Sequence, residues 1–288
     1  MTLHQLLKEG ADSLTKAGDP EPQTDARRLL LEAFRLDTVH FLMNRMQVLE
    51  QTQAVKASMD LYRQMIKKRC RRIPLQHILG SQDFMGLTFT VNKHVLIPRQ
   101  DTETLAELVL QEQKDTKKKV LDLCTGSGCI AISLAVLGKY EDITAVDLSP
   151  EALKVAEENA RRLLGRERKI HLIQGDLFEA LEGTYDIITA NPPYIATEVI
   201  KGLQPEVRDY EPRMALDGDM DGLSFYRRIA AQAQSWLNPG GCIYLEIGHD
   251  QAQAVSRFLE EAGFENIRIV KDTPGLDRVV YAEGGSHV

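Results

Sequence analysis

Two segments of the 288-residue chain carry residues whose types and spacing favour ligand-binding chemistry. The first is Asp122-Leu-Cys-Thr-Gly-Ser-Gly128, which lies between an apolar run from Val120 and another from Ile130. Glycines at a strand-to-helix turn let the backbone approach a ligand, and the following helix offers unpaired N–H groups. The spacing Gly126-x-Gly128-x-x-Ala131 also fits the dinucleotide fingerprint, so a nicotinamide cofactor stays open at this point.

Two acidic residues follow the next two predicted strands. Asp147 comes 19 residues after Gly128, where a carboxylate can accept hydrogen bonds from the ribose hydroxyls of an adenosine ligand. The alternative is an acid that stabilises the dipole of the following helix. Asp176, in Gly175-Asp176-Leu177, can accept a hydrogen bond from an adenine amino group. An aspartate that only stabilises a turn is an equally good interpretation.

The second segment is Asn191-Pro192-Pro193-Tyr194, at the end of the fourth predicted strand. In open α/β sheets the ligand crevice lies beyond such strand ends. The two prolines remove backbone donors and fix φ, which leaves carbonyl acceptors beside the Asn191 side-chain oxygen. Such a loop can hold both hydrogens of a planar NH₂ group, with Tyr194 packed on its flat face. A proline-stiffened turn is the alternative interpretation.

These residues require an alternating α/β framework to bring them together. The apolar patterning predicts strands over 120–124, 143–147, 170–174, 185–190 and 242–247, with helices over 130–137, 150–164, 222–237 and 250–262. Ser149 and Pro150 are the predicted N-cap and first residue of one helix. Alternating elements predict a parallel sheet covered on both faces. Two final strands over 267–270 and 279–282 have no helix between them and should pair antiparallel.

The sequence as a whole predicts three structural parts. Residues 1–72 show helical spacing throughout, residues 73–99 are typical of a β-hairpin linker, and residues 100–288 are the predicted catalytic domain, because they hold the α/β pattern and both ligand-binding segments. Residues 1–72 carry 13 Lys and Arg against 9 Asp and Glu, a net charge of +4, and the remainder carries −11. The overall charge of −7 argues against a protein that simply coats nucleic acid.

Composition bounds the function further. The four cysteines form no CxxC pair, so neither a zinc site nor a disulfide framework is expected, and no metal is predicted. The first residues lack the apolar core of a signal peptide, and no stretch is apolar enough to span a bilayer. The sequence therefore predicts a soluble, cytoplasmic protein.

The combined motifs resemble a known class of enzyme. The 122–128 loop, Asp147 and the 191–194 loop are similar to class I S-adenosylmethionine-dependent methyltransferases that modify planar amino groups, whereas NAD enzymes have no matching Asn-Pro-Pro-Tyr loop. Further segments resemble the peptide chain release factor glutamine methyltransferases (PrmC/HemK). These segments are residues 74–80, 84–86, 97–103, 211–216, 245–248 and 275–278, so the resemblance covers nearly the whole chain.

The resemblance implies a Rossmann-like seven-stranded sheet with a terminal antiparallel hairpin, a small N-terminal helical bundle and a β-hairpin connector. It implies methyl transfer from S-adenosylmethionine to the side-chain amide nitrogen of the glutamine in the Gly-Gly-Gln motif of release factors. The implied cofactor-binding residues are Cys124, Thr125, Gly126, Ser127, Gly128, Asp147, Asp176, Leu177 and Asn191. The implied catalytic residues are Asn191, Pro192, Pro193 and Tyr194. No general base stands out, and Glu103 and Glu246 are at most supporting residues.

Relatives commonly carry Gly where this chain has Cys124, and often Pro where it has Gln100. Three alternatives remain beside the release-factor activity: a ribosomal-protein glutamine methyltransferase, a nucleic-acid amino-group (N6-adenine type) methyltransferase and a non-enzymatic adenosine-binding module. Asp-Thr-Glu after Ile97-Pro-Arg99 favours the release-factor branch, and no direct nucleic-acid or membrane binding is expected. The basic helical front is the predicted docking surface, so reversing Arg69, Arg71 and Arg72 to Glu should weaken protein methylation.

Overall fold

The computed structural model describes residues 1–165 and 170–285, and the chain divides into two compact units. The helical unit consists of Met1–Gly80 together with Gln204–Tyr210, and the sheet unit consists of Ser81–Leu203 and Glu211–Val288. The helical unit thus takes in a segment from the second half of the chain, which the predicted division at residues 72 and 99 did not include. The last three residues of the predicted catalytic domain, 286–288, lie outside the described residues.

The α-helices, in chain order, are α1 (Leu3–Lys16), α2 (Pro22–Phe34), α3 (Thr38–Asn44), α4 (Gln53–Arg69), α5 (Leu75–Leu79), α6 (Gln100–Glu112), α7 (Cys129–Leu137), α8 (Pro150–Leu164), α9 (Thr197–Ile200), α10 (Pro205–Tyr210), α11 (Ser224–Ala233) and α12 (Ala252–Glu261). The strands are β1 (Ser81–Phe84), β2 (Leu87–Thr90), β3 (Lys119–Leu123), β4 (Asp142–Asp147), β5 (His171–Gln174), β6 (Tyr185–Ala190), β7 (Leu237–Glu246), β8 (Glu265–Lys271) and β9 (Asp277–Glu283).

Seven strands form one mixed sheet in the order β5-β4-β3-β6-β7-β9-β8. The first five of that order run parallel, while β9 is antiparallel to both β7 and β8. The α/β fold with a seven-stranded sheet and a terminal antiparallel pair is therefore confirmed. The strand order reverses beside β3, which is the kind of point where open α/β sheets bind ligands.

Local sequence accounts for the elements that border the site. The buried residues Val120, Leu121 and Leu123 give β3 the apolar run of a strand covered on both faces. Helix α8 starts as predicted: the Ser149 hydroxyl accepts a hydrogen bond from the Ala152 amide at 3.1 Å, and Pro150 occupies the first turn.

Antiparallel strands β1 and β2 form the predicted hairpin, preceded by the short helix α5 that the sequence did not indicate. Met85 and Gly86 form its two-residue turn, and both have positive φ, as a type I′ turn requires. The Glu103 carboxylate accepts a hydrogen bond from the Met85 amide at 2.6 Å. Glu103 therefore supports the turn of the hairpin, and this contact is the supporting role that the structure shows for it.

The helical unit buries a cluster of acidic and basic side chains beside its apolar core. The Nε atom of Arg69 lies 2.6 Å from Asp25 and 2.7 Å from Asp19, and Glu206 of α10 accepts from both Arg69 and Arg72. Arg69 is 4% exposed and is held by carboxylates of its own unit. Arg69 is thus a structural residue, and the expectation that it is part of a docking surface is wrong. Arg72 is partly buried and pairs with Glu206.

Among the described residues, no helix is both long enough and apolar enough to cross a bilayer.

Candidate active site

A cavity of about 360 Å³ opens at the carboxyl ends of the parallel strands in the sheet unit. This volume falls within the roughly 300–1,000 Å³ usual for small-molecule sites. The predicted site residues that line the cavity are Cys124, Thr125, Gly126, Ser127, Asp147, Asp176, Leu177, Asn191 and Pro193. Of the predicted residues in the described ranges, Gly128, Pro192 and Tyr194 lie outside this lining.

Asp122 holds the loop between β3 and α7 from beneath. Its carboxylate is fully buried and accepts from the Thr125 hydroxyl at 2.6 Å and from the Thr189 hydroxyl at 2.8 Å. Burial raises the pKa of Asp122 to about 6, and the two hydroxyls act in the opposite direction. The sequence placed Asp122 at the start of the motif, and its structural role follows from its burial.

The loop backbone takes conformations that L side chains avoid. Cys124, Gly126 and Gly128 have φ values of 57°, 58° and 80°. A Cβ added to Gly128 would lie 2.8 Å from Ile132, whereas one added to Gly126 would meet no atom within 4 Å. Gly128 thus permits close packing on α7, and Gly126 keeps the cavity open. The positive φ at Cys124 explains why glycine suits this position.

Asp147 ends β4 at the rim of the same cavity. Its two carboxylate oxygens accept from the Gly126 amide at 2.8 Å and from the Ser149 amide at 2.9 Å. Burial raises the pKa of this carboxyl, and these two amides oppose the rise. Each oxygen retains a lone pair for a further donor, so the geometry suits two neighbouring ligand hydroxyls.

Asp176 and Leu177 follow β5 along the adjacent wall. The Asp176 carboxylate forms a 2.8 Å ion pair with Arg228 of α11. Leu177 is 3% exposed and has a φ of 54°. The sequence did not indicate the Arg228 partner, because 52 positions separate the two residues.

The 191–194 loop leaves the carboxyl end of β6. The Asn191 side-chain amide donates a hydrogen bond to the Thr102 hydroxyl at 3.3 Å, and Asn191 lines the cavity. Gln251 donates to the Tyr194 carbonyl at 2.9 Å, which fixes the far end of the loop. Tyr194 packs against the buried cluster of the sheet, and burial raises the pKa of its phenol to about 12.

Two site features escaped the sequence prediction. Residues Pro212, Met214 and Asp217 also line the cavity, and the sequence did not assign any of them to the site. Glu211 anchors their segment, since its carboxylate accepts from the Ile97 amide and from Arg99. The second feature is the complete burial of Glu246 at the end of β7, which the sequence had indicated only as a supporting residue.

The described residues contain no group of three or more His, Cys, Asp or Glu side chains arranged to hold a metal ion.

Family comparisons match both parts of the chain. A family model described as the PrmC N-terminal domain matches residues 5–80, and the methyltransferase small domain model matches residues 99–203. The release factor glutamine methyltransferase of Moorella thermoacetica is 42% identical over 285 residues, covering 98% of both chains. The corresponding protein of Geobacter sulfurreducens is 39% identical over 280 residues, covering 97% of this chain and 95% of that one.

A crystal structure of a methyltransferase from Pyrococcus furiosus matches with a TM-score of 0.53 at 18% identity, covering 70% of this chain and 91% of that one. At this identity the match supports the fold alone. The sequence relatives establish the family as well as the fold, since they align over nearly the full length of the chain. The chain belongs to the family of release factor glutamine methyltransferases.

Proposed function

We propose that this protein transfers the methyl group of S-adenosylmethionine to the side-chain amide nitrogen of a glutamine in peptide chain release factors. The observation that carries the proposal is Asn191 at the carboxyl end of β6, facing the same cavity as Asp147. The family membership supplies the substrate class. The glutamine of the Gly-Gly-Gln motif is the proposed acceptor, and the cytoplasm, where release factors act, is the proposed location.

The cavity residues fit the cofactor. The Asp147 carboxylate would accept from the two ribose hydroxyls, and the open space beside Gly126 admits a ligand against the loop backbone. Cys124 to Gly128 would surround the amino-acid end and the ribose, and Asp176 with Leu177 would border the adenine. When bound, S-adenosylmethionine supplies an electrophilic methyl group on a sulfonium.

The protein must activate a weak nucleophile, because an amide nitrogen delocalises its lone pair into the carbonyl. The Asn191 side-chain oxygen and the Pro192 carbonyl would accept the two N–H groups of the substrate glutamine. These hydrogen bonds favour a more tetrahedral nitrogen and aim its lone pair at the methyl group. They also stabilise the positive charge that develops on nitrogen. The carbon–sulfur bond would break as the carbon–nitrogen bond forms, S-adenosylhomocysteine would leave as a neutral thioether, and the acidic product nitrogen would lose one proton to water. Pro193 and Tyr194 would hold this loop against the sheet and the substrate side chain.

A transfer assay tests this function. The protein is incubated with methyl-labelled S-adenosylmethionine and, in parallel, with a release factor, its Gly-Gly-Gln to Gly-Gly-Ala variant, ribosomal protein and DNA. We expect label on the unsubstituted release factor alone. Label on DNA or ribosomal protein, with none on the release factor, would refute the proposal.

The Asn191→Ala variant tests the site itself. It removes the proposed acceptor oxygen but leaves Asp147 and the 124–128 loop, which would provide most of the contacts with the cofactor. We expect the affinity for S-adenosylmethionine to fall only a few-fold and kcat to fall at least a hundredfold, since an oriented electrostatic contact is typically worth about 10²–10³. Equal kcat in variant and wild type would show that Asn191 does not touch the reacting amide.

A further inference from the structure

Glu246 is a fully buried carboxyl at the end of β7. Among the described residues, neither of its oxygens has an aligned hydrogen-bond partner. The Thr102 hydroxyl and the Asn191 amide nevertheless lie beside it and oppose the rise in pKa that burial causes. A buried carboxyl in such surroundings is costly, so packing alone does not account for it.

Strand register places Glu246 next to Asn191. Ala190 of β6 lies directly opposite Leu245 of β7, so the next residue on each strand is Asn191 and Glu246. These two side chains leave the same face of the sheet, because both follow a paired position in parallel strands. Asn191 lines the cavity, whereas Glu246 lies outside the lining formed by the described residues. Glu246 is therefore behind Asn191 as seen from the cavity.

The chemistry of the two groups defines an orientation. An asparagine amide has a donating nitrogen and an accepting oxygen, and an ionised carboxylate can only accept. The Asn191 nitrogen already donates to the Thr102 hydroxyl at 3.3 Å. With acceptors on both sides of that nitrogen, the Asn191 oxygen turns away from them. A protonated Glu246 carries a donor of its own and can pair with the oxygen instead.

We propose that ionised Glu246 is a positioning residue that holds the Asn191 nitrogen inward and presents the Asn191 oxygen to the substrate amide. This inference rests on the proposed glutamine methylation. Glu246 does not line the cavity, so it takes no proton from the substrate and acts only through Asn191.

Several charged or titratable groups face Glu246 from the surrounding elements. They are Asp101 of α6, Arg278 of β9, Tyr194 of the loop, Tyr226 of α11 and Cys129 of α7. Burial raises the pKa of Tyr194 and of Cys129 to about 12. Burial likewise places the pKa of Tyr226 well above its usual value, so these three stay protonated near neutral pH.

Burial raises the pKa of Glu246 to about 7, although Thr102 and Arg278 oppose that rise. The proposed orientation of Asn191 therefore changes with pH in the neutral range. Ionised Glu246, and with it the productive orientation, predominates above this pKa and is lost as the pH falls through it.

The kinetic test compares wild type with Glu246→Gln from pH 6 to 9. For wild type we expect kcat to fall below a pH near 7, and for Glu246→Gln we expect a kcat about tenfold lower with no acidic limb. The KM for S-adenosylmethionine should remain as in wild type, and the melting temperature of Glu246→Gln should be no lower than that of wild type, because the variant removes a buried charge. Glu246→Asp keeps the charge and should recover part of kcat together with the limb.

A flat wild-type kcat between pH 6 and 8 would overturn the proposal. An acidic limb that persists in Glu246→Gln would also overturn it, because the limb would then belong to another group such as Asp122.

A second measurement does not depend on activity. The side-chain NH₂ resonance of Asn191, assigned by its loss in Asn191→Ala, is followed from pH 5.5 to 8.5 by NMR. We expect it to shift with a midpoint near 7 in wild type and to stay constant in Glu246→Gln. A wild-type resonance that does not move would overturn the role of Glu246. Wild-type protein that methylates no release factor would refute the proposed function, while the resonance still decides the orientation.

Discussion

Arg69 and Glu206 form a 2.7 Å ion pair although they lie 137 positions apart in the chain. The side chains are 5% and 11% exposed, and Asp19 and Asp25 share the same guanidinium. Through this pair a segment from the second half of the chain completes the helical unit.

The first prediction concerns this buried cluster. Replacing Arg69 with Met removes its cation and leaves three carboxylates without it, so the free energy of unfolding should fall by about 3–5 kcal/mol. Urea denaturation measures the change. Lys67→Met, an exposed change on the same helix, should stay within about 0.5 kcal/mol. Equal stability of the two variants would show that the cluster contributes nothing.

The second prediction relocates the docking surface. Lys67, Lys68 and Arg71 are the exposed cations at the end of α4, whereas Arg69 and Arg72 are held within the unit. Reversing the three exposed residues to Glu should raise the KM for release factor about tenfold and leave the affinity for S-adenosylmethionine unchanged.

The control for docking reverses Lys154, Arg161 and Arg257, which are exposed on the sheet unit and give the same net charge. If both triple variants raise the KM equally, the effect is one of overall charge, and α4 is not the docking surface.

The third prediction concerns Cys124. A φ of 57° costs a non-glycine residue about 1–2 kcal/mol in the folded state. Glycine avoids that strain but loses about 0.5–1 kcal/mol more conformational entropy on folding. Cys124→Gly should therefore stabilise the protein by up to about 1 kcal/mol and preserve cofactor binding. Cys124→Val should destabilise it, since a β-branched residue suits this conformation least. Calorimetric melting of both variants tests the ranking, and a less stable glycine variant contradicts it.

The fourth prediction concerns cofactor affinity. Asp147→Asn removes a charged acceptor worth roughly 1.5–3 kcal/mol per hydrogen bond, so the Kd for S-adenosylmethionine should rise about tenfold to a hundredfold. Titration calorimetry measures this Kd. Asp176→Asn is the matched control and should have a smaller effect, because that carboxylate is already paired with Arg228. If Asp176→Asn raised this Kd as much as Asp147→Asn, Asp147 would not be the principal carboxylate that binds the cofactor.

The fifth prediction is the pH dependence of stability due to Asp122. Burial raises its pKa from 3.8 to about 6, so the fold favours the protonated form. This contribution is present below pH 3.8 and is lost as the pH rises through 6, by up to about 3 kcal/mol. Relative to Asp122→Asn, wild type should therefore lose unfolding free energy between pH 4 and pH 7. A difference that stays constant with pH would exclude Asp122 as the cause.

The sequence predicted the parts of the site that depend on local pattern. The 122–128 loop, Asp147 and the 191–194 loop lie at strand ends because apolar runs and turn residues define those ends within a few positions. Parallel order then brings the strand ends to one edge of the sheet.

The remainder depends on contacts between distant positions. Arg69 was predicted to face a partner because charge composition does not distinguish a buried ion pair from an exposed cation. Glu103 was grouped with Glu246, yet one bonds a hairpin amide and the other is enclosed behind Asn191. The different roles of these two carboxylates become visible only from the way the helices and strands pack.

The position of β9 inside the sheet also affects how the protein forms during synthesis. Strand β9 follows β8 in the chain but lies between β8 and β7. The ribosome therefore exposes β7, and then β8, before the strand that separates them exists. Throughout that interval β7 has an unpaired apolar edge, which is open to wrong pairing. Aggregation during synthesis through this edge of β7 should therefore stop only once residues 277–283 are available to pair with it.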